Sequence, residues 1–148
     1  MKNVILYTDG ACSGNPGVGG WACVLIYENA KKELSGGEQL TTNNRMELMA
    51  VINGLKALKE PCNVEIFSDS AYVVNAFLNG WINSWILNGW KTSSKSPVLN
   101  KELWEELITL NQVHKISWNK VKGHADNELN NRCDELARAE VQKLSAKK

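Results

Sequence analysis

The run Val4-Ile5-Leu6-Tyr7-Thr8-Asp9 meets the glycine-rich stretch Gly10–Gly20, and Trp21-Ala22-Cys23-Val24-Leu25-Ile26-Tyr27 follows at once. A short apolar run ending on an acid reads as a strand, Val4–Thr8, that delivers a carboxylate to its end. Trp21–Tyr27 is nearly all apolar and reads as a central strand. Only the glycine-rich connection separates the two, so an antiparallel hairpin is predicted. That connection lacks a Gly-Lys-Ser/Thr ending, which excludes a P-loop. Glu33–Leu40 gives a weaker third strand, with Gly36-Gly37 inside it marking a bulge or an edge.

Beyond the hairpin the periodicity changes. Leu48, Val51, Ile52, Leu55 and Leu58 recur at helical spacing and predict an amphipathic helix that ends before Pro61. Val64–Ser68 is a fourth strand, and it too runs straight into an acid, Asp69. Short helical patterns cover Ala71–Leu78 and Trp81–Leu87, broken at Gly80 and Gly89, and Thr92–Pro97 is loop. Leu103, Leu107 and Leu110 with Trp104 mark another helix. Ile116–Val121 is a fifth strand, and Glu128–Leu144 a last helix before a frayed tail. Three strands in a meander followed by helix–strand alternation predict a mixed α/β sheet with helices on its faces. In such a sheet strands one and four can be neighbours, which would bring Asp9 and Asp69 together.

The chain's 148 residues suit a single domain, 1–148, and 43% hydrophobic with 22% charged residues is ordinary for a soluble globular protein. Lys and Arg number 17 against 16 acids, so overall charge announces no polyanion. Local charge says more. Ser70 to Lys101 holds no acid, and Lys91, Lys95 and Lys101 fall there beside Trp81, Trp85 and Trp90. Cys12, Cys23, Cys62 and Cys133 form no CxxC pair and no zinc spacing with His114 or His124, which points to a reducing compartment. With no leader-like or membrane-length apolar segment, a cytoplasmic protein without membrane contact is expected.

Four acids have the placement for chemistry: Asp9 and Asp69 at strand ends, Glu47 in Asn43-Asn44-Arg45-Met46-Glu47, and Asp134 in Asn131-Arg132-Cys133-Asp134. Convergent carboxylates suggest a divalent cation and phosphate chemistry. Each also has a structural reading. Asp9-Gly10 is a turn dipeptide, Asn44-x-x-Glu47 resembles a capping box, Asp69 can cap the next helix, and Asp134 can pair with Arg138 one turn on. His124 follows a strand ten residues before Asp134, so both can reach one site. His114, beside Lys115 at a helix end, reads as a surface residue. Trp21 and Trp118 read as core. Trp81 and Trp85 share a helix face that suits a sugar or base platform, with core packing equally open for Trp85.

Taken together, Tyr7-Thr8-Asp9-Gly10-Ala11-Cys12-Ser13-Gly14-Asn15-Pro16-Gly17, Thr41-Thr42-Asn43-Asn44-Arg45-Met46-Glu47-Leu48, Ser68-Asp69-Ser70, Trp90-Lys91-Thr92, Val121-Lys122-Gly123-His124 and Asn130–Ala137 closely resemble type 1 ribonuclease H. The motifs run in family order across nearly the whole chain. The resemblance implies a five-stranded mixed sheet, strands one to three antiparallel and strands four and five parallel to the first. It implies cleavage of the RNA strand of RNA–DNA hybrids by a monomer, without sequence specificity. Asp9, Glu47, Asp69 and Asp134 would hold two Mg²⁺ ions, with Mn²⁺ a possible substitute, and Asp9 would bridge them. His124 would assist proton transfer or product departure.

The same resemblance implies that Gly10, Cys12, Asn15 and Asn44 face the RNA strand and its minor groove. Thr42, Asn43 and Arg45 would grip a DNA phosphate, Trp81 would meet a deoxyribose, and Lys91 and Lys95 would supply the remaining basic contacts. Two departures stand out. Ala71 replaces a Gln common in relatives, and Ile86-Leu87-Asn88 replaces a cationic run in the protruding segment. Two rival functions remain: an integrase-type transferase or other nuclease on the same fold, and a non-catalytic hybrid-binding module. A transferase would need neither the Lys122-Gly123-His124 loop nor the protrusion, and a pure binder of a polyanion gains nothing from four carboxylates.

Overall fold

The computed structural model describes residues 1–121 and 127–146. The opening hairpin is longer than its apolar runs suggest. Strand β1 spans Lys2–Gly14 and β2 spans Gly17–Tyr27, so most of the glycine-rich stretch is paired strand and the turn shrinks to Asn15-Pro16. Strand β3, Ala30–Thr41, pairs antiparallel with β2 and forms one edge. Gly36 and Gly37 are not a bulge: they pair in register with Trp21 and Gly20, and the one register shift falls at Gly17/Gly19. A Cβ at Gly36 would sit 2.8 Å from the Trp21 indole, so the glycine makes room for that ring.

Helix α1 (Asn43–Lys56) leads to β4 (Cys62–Ser68), then α2 (Ala71–Leu78), α3 (Trp81–Leu87), α4 (Lys101–Val113), β5 (Lys115–Lys120) and α5 (Glu128–Ala146). The sheet order is β3-β2-β1-β4-β5. Strands β1, β4 and β5 are mutually parallel, as the resemblance implies. Alternate strand residues face opposite sides. On one side Leu6 and Leu25 meet Leu48, Val51, Ile52 and Leu55 of α1, four of the five apolar positions of the helical period, in the main core, and Leu58 packs against it from beyond the helix end. On the other side Gly20 lies directly beneath Ala137 of α5.

His114 is a correction to the sequence reading. It is buried, not a surface residue, and its Nδ1 accepts the Cys62 backbone N–H at 3.1 Å. The imidazole thereby ties the end of α4 to the start of β4, and burial pushes its pKa below the usual histidine value. The adjacent Lys115 is exposed, which is the local cue that misdirects the reading. Among the described residues no helix is long and apolar enough to cross a membrane.

Candidate active site

Parallel pairing of β1 and β4 puts Thr8 opposite Ser68, so Asp9 and Asp69 are neighbours where that pairing ends. Asp69 follows the last residue of β4, whereas Asp9 lies inside β1, still paired with Ala22, and not at a strand end as expected. Glu47 reaches them from α1 because β1 carries glycine at position 10. A Cβ there would stand 2.7 Å from the Glu47 backbone nitrogen, so only glycine lets strand and helix approach this closely. The freed Gly10 N–H donates to Glu47 Oε1 at 2.6 Å. On the opposite face, a Cβ at Gly20 would lie 2.3 Å from the Ala137 carbonyl oxygen. That second close approach seats α5, which carries Asp134.

The capping alternatives for two of these acids are resolved against capping. Thr42 caps α1, its Oγ1 accepting the Arg45 N–H at 3.2 Å, which leaves Glu47 inside the helix. Ser70 caps α2, its Oγ accepting the Val73 N–H at 3.2 Å, and the Asp69 carboxylate stays free to face the cavity. Asp134 does form its one-turn pair, with Arg138 Nη2 2.8 Å from its Oδ2. It lines the same cavity regardless.

Asp9, Glu47 and Asp69 each offer a carboxylate oxygen within 4.8 Å of the others. They open, with Asp134, on a cavity of about 410 Å³ that Gly10, Asn43, Asn44 and Asn130 also line. Asp9 and Glu47 are 5% and 4% exposed. Burial, reinforced by the Asp69 charge, raises the Asp9 pKa from 3.8 to about 8. Burial likewise lifts Glu47 well above its ordinary value, with Asp9 and Asp69 adding to the effect. Among the described residues Glu47 Oε2 has no hydrogen-bond partner. Buried acceptors of like charge, one of them orphaned, are what a hard divalent cation satisfies, and an all-oxygen donor set suits Mg²⁺ or Mn²⁺.

The expected substrate contacts divide into two groups. Gly10, Asn43 and Asn44 share the cavity with the acids. Asn15, in the hairpin turn, is tied to them, its Oδ1 accepting the Asn43 N–H at 3.1 Å. Cys12 lies beside this edge, its Sγ 3.4 Å from the Thr41 carbonyl oxygen. Arg45 is engaged elsewhere, holding Glu38 at 2.7 Å and Glu102 at 2.9 Å. Trp81, Lys91 and Lys95 lie on and after α3, exposed and outside the cavity lining. Trp85 is not part of the platform. It packs edge-on against buried Trp104 at 5.1 Å and belongs to the aromatic core. His124 lies outside the described residues.

Sequence reading missed several cavity residues. Tyr72 is one, its hydroxyl accepting from Trp104 Nε1 at 3.0 Å and from Asn100 Nδ2 at 3.3 Å. Asn130 is another. The available signal was its position one turn before Asp134, on the same helix face.

A mixed sheet that gathers carboxylates where the parallel pairing of β1 and β4 ends defines a class of metal-dependent enzymes acting on phosphate esters. Comparison with known proteins narrows it. The family model for RNase H matches residues 1–142. A ribonuclease H from Acetivibrio thermocellus is 64% identical over 147 residues, covering 99% of this chain and 100% of that relative. Among solved structures, LC9-RNase H1, described as a type 1 RNase H with the type 2 active-site motif, superposes with a TM-score of 0.86 at 28% identity. The alignment covers 97% of this chain and 74% of that one. LC11-RNase H1, solved in complex with an RNA/DNA hybrid, gives a TM-score of 0.66 at 28% identity over 95% and 97% of the two chains. This chain belongs to the ribonuclease H family, in its type 1 branch, and is a ribonuclease H enzyme.

Proposed function

We propose that this protein hydrolyses the RNA strand of RNA–DNA hybrids with two bound divalent cations, leaving 5′-phosphate and 3′-hydroxyl ends. The observation that carries the reading is the convergence of Asp9, Glu47 and Asp69 within 4.8 Å, two of them buried. Asp9, at the centre, faces both Asp69 and Asp134 and suits the bridging role. Glu47, Asp69 and Asp134 would complete the set that holds the cations. When bound, such a cation pair supplies an activated water and charge stabilisation of the leaving oxygen. The residues themselves do the rest. Four fixed carboxylates accept the charge without reorganising, and burial of Asp9 and Glu47 excludes competing water.

Substrate choice rests on the second set of groups. Gly10, Asn44 and Asn15 offer small polar contacts at the cavity edge, suited to a ribose 2′-hydroxyl, the group that tells RNA from DNA locally. Thr42 and Asn43 present an uncharged grip for a DNA phosphate at the start of α1. Trp81, 38% exposed, is free to meet a sugar. Backbone and sugar contacts carry little base information, so cleavage is without sequence preference.

The test is cleavage of an end-labelled hybrid in Mg²⁺, Mn²⁺ or EDTA, beside single-stranded RNA, duplex RNA and duplex DNA. Cleavage confined to the RNA strand of the hybrid and abolished by EDTA is expected. Binding of hybrid without cleavage, or equal cleavage of duplex DNA, overturns the reading.

A further inference from the structure

Four buried side-chain oxygens lack a hydrogen-bond partner among the described residues: Thr8 Oγ1, Thr41 Oγ1, Glu47 Oε2 and Asn130 Oδ1. Of these only Glu47 and Asn130 line the acidic cavity. Glu47 is accounted for by the cation reading. Asn130 is not. It is 2% exposed, sits in the first turn of α5 and lies one turn before Asp134. Its own backbone N–H is capped by Asn127 Oδ1 at 3.1 Å, so the helix start makes no demand on its side chain.

An amide oxygen buried without a donor costs about 1–3 kcal/mol. A folded chain retains such a group where something absent from the bare protein satisfies it. Asn43, Asn44, Ser70 and Tyr72 also line the cavity, yet among the described residues none donates to this oxygen. An orphaned acceptor on the same cavity as the carboxylates is met by a cation or the waters a cation carries. Mg²⁺ gives up its waters reluctantly and keeps several when bound by carboxylates, so hydrogen-bond donors arrive with the ion.

We infer that Asn130 Oδ1 is a neutral fifth oxygen of the cation site, accepting from the hydrated divalent ion on the Asp134 side. The inference rests on the proposed function and adds a positioning residue to it. Neutrality is the useful property. A fifth carboxylate would add repulsion to a cluster in which Asp9 already resists ionisation through burial and its acidic neighbours, whereas an amide oxygen engages the ion's shell with no such cost.

The experiment is calorimetric titration of Mg²⁺ into the full chain, with thermal melting in EDTA, for the parent, Asn130→Ala and Asn130→Asp. Removing a group that orients bound metal typically weakens affinity about 10- to 100-fold, and Asn130→Ala should fall in that range. Asn130→Asp retains an oxygen and adds a charge, so it should bind Mg²⁺ more tightly than the parent while melting lower in EDTA. A purely structural Asn130 would lower the melting point of both variants and leave both affinities at the parental value, which overturns the inference. Asn130→Ala binding Mg²⁺ as well as the parent overturns it too, even if cleavage is impaired. Failure of the parent to bind a divalent cation at all would instead sink the functional reading on which this one rests.

Discussion

The acidic cavity and the α3 projection are built on opposite terms. At the cavity, every functional side chain is fixed by long-range geometry. Asp9 and Asp69 are aligned by strand register, and glycines at positions 10 and 20 admit the helices that bring Glu47 and Asp134. The cost is electrostatic, borne as raised pKa values on Asp9 and Glu47. At α3, a seven-residue helix leaves Trp81, Ile86 and Leu87 exposed, and only Ile82 of the helix is buried. On the proposed function, the contrast makes catalysis and affinity separable in this chain. The first is over-determined and strained, the second local and replaceable.

The largest test of that separation is Asp9→Asn. Loss of the central charge should reduce turnover by at least about 10³-fold, since metal-borne charge stabilisation is worth several kcal/mol. In EDTA the same variant should melt higher than the parent, because a buried, repelled carboxylate is gone. Single-turnover cleavage and calorimetry of one preparation check both. Near-parental turnover would break the assignment of the cavity as the catalytic centre.

Gly10→Ala probes the geometry, leaving the charges alone. The added Cβ meets backbone atoms of Met46 and Glu47, which cannot move aside as a flexible side chain would. A destabilisation of about 1–3 kcal/mol follows, read as a fall in melting temperature of about 2–4 °C per kcal/mol. Cleavage should fall with it, because the Gly10 N–H to Glu47 contact is displaced. A variant that melts and cleaves like the parent would show that α1 has room this packing does not offer.

The raised Asp9 pKa gives the cavity a pH signature. The folded, metal-free chain holds a proton that the unfolded chain releases near pH 4. That contribution to stability is therefore complete below about pH 4 and lost as pH rises through about 8. Asp9→Asn lacks it, so the melting advantage of the variant in EDTA should widen from pH 5 to pH 8. Excess Mg²⁺ should reverse the order at the upper end. A constant difference across that range would mean Asp9 ionises normally and the cavity is less strained than described.

Much of this was legible in the chain, for physical reasons that also mark where legibility stops. Asp9 and Asp69 could be picked out because each follows a short apolar run, although β1 continues past Asp9, and Glu47 and Asp134 stood out only through their motifs. The hairpin and the alternation after it indicated a mixed sheet, and the strand directions came from the resemblance to type 1 ribonuclease H. What stayed hidden were contacts set by tertiary approach. His114 is buried by a partner 52 residues away, with an exposed lysine beside it. Nothing local revealed that Glu38 and Glu102 hold Arg45, which the resemblance assigns to a DNA phosphate. Trp81 and Trp85 have the same period, but only Trp85 meets Trp104. The orphan oxygen of Asn130 can be seen only once its surroundings are known.

The smallest expected effect belongs to the projection and is the most particular to this sequence. Ile86, Leu87 and Asn88 supply no charge where a cationic run would contact phosphate, so hybrid affinity should be modest and its salt dependence shallow. Replacing all three with lysine should lower KM several-fold and leave kcat unchanged, since the carboxylates are untouched. Each new phosphate contact would steepen the log–log salt slope by about 0.9, the coefficient for B-form duplex. The competing idea is that Ile86 and Leu87 pack beneath Trp85 and Trp90, in which case lysines would unfold the projection. Their exposures of 50% and 84% argue against it. The triple variant should therefore melt within a degree or two of the parent, because surface changes away from packed features usually stay within about ±0.5 kcal/mol. A folded variant with parental KM and salt slope would mean that α3 does not touch the substrate. The separation between a catalytic centre and an affinity surface would then have to be redrawn around Lys91 and Lys95.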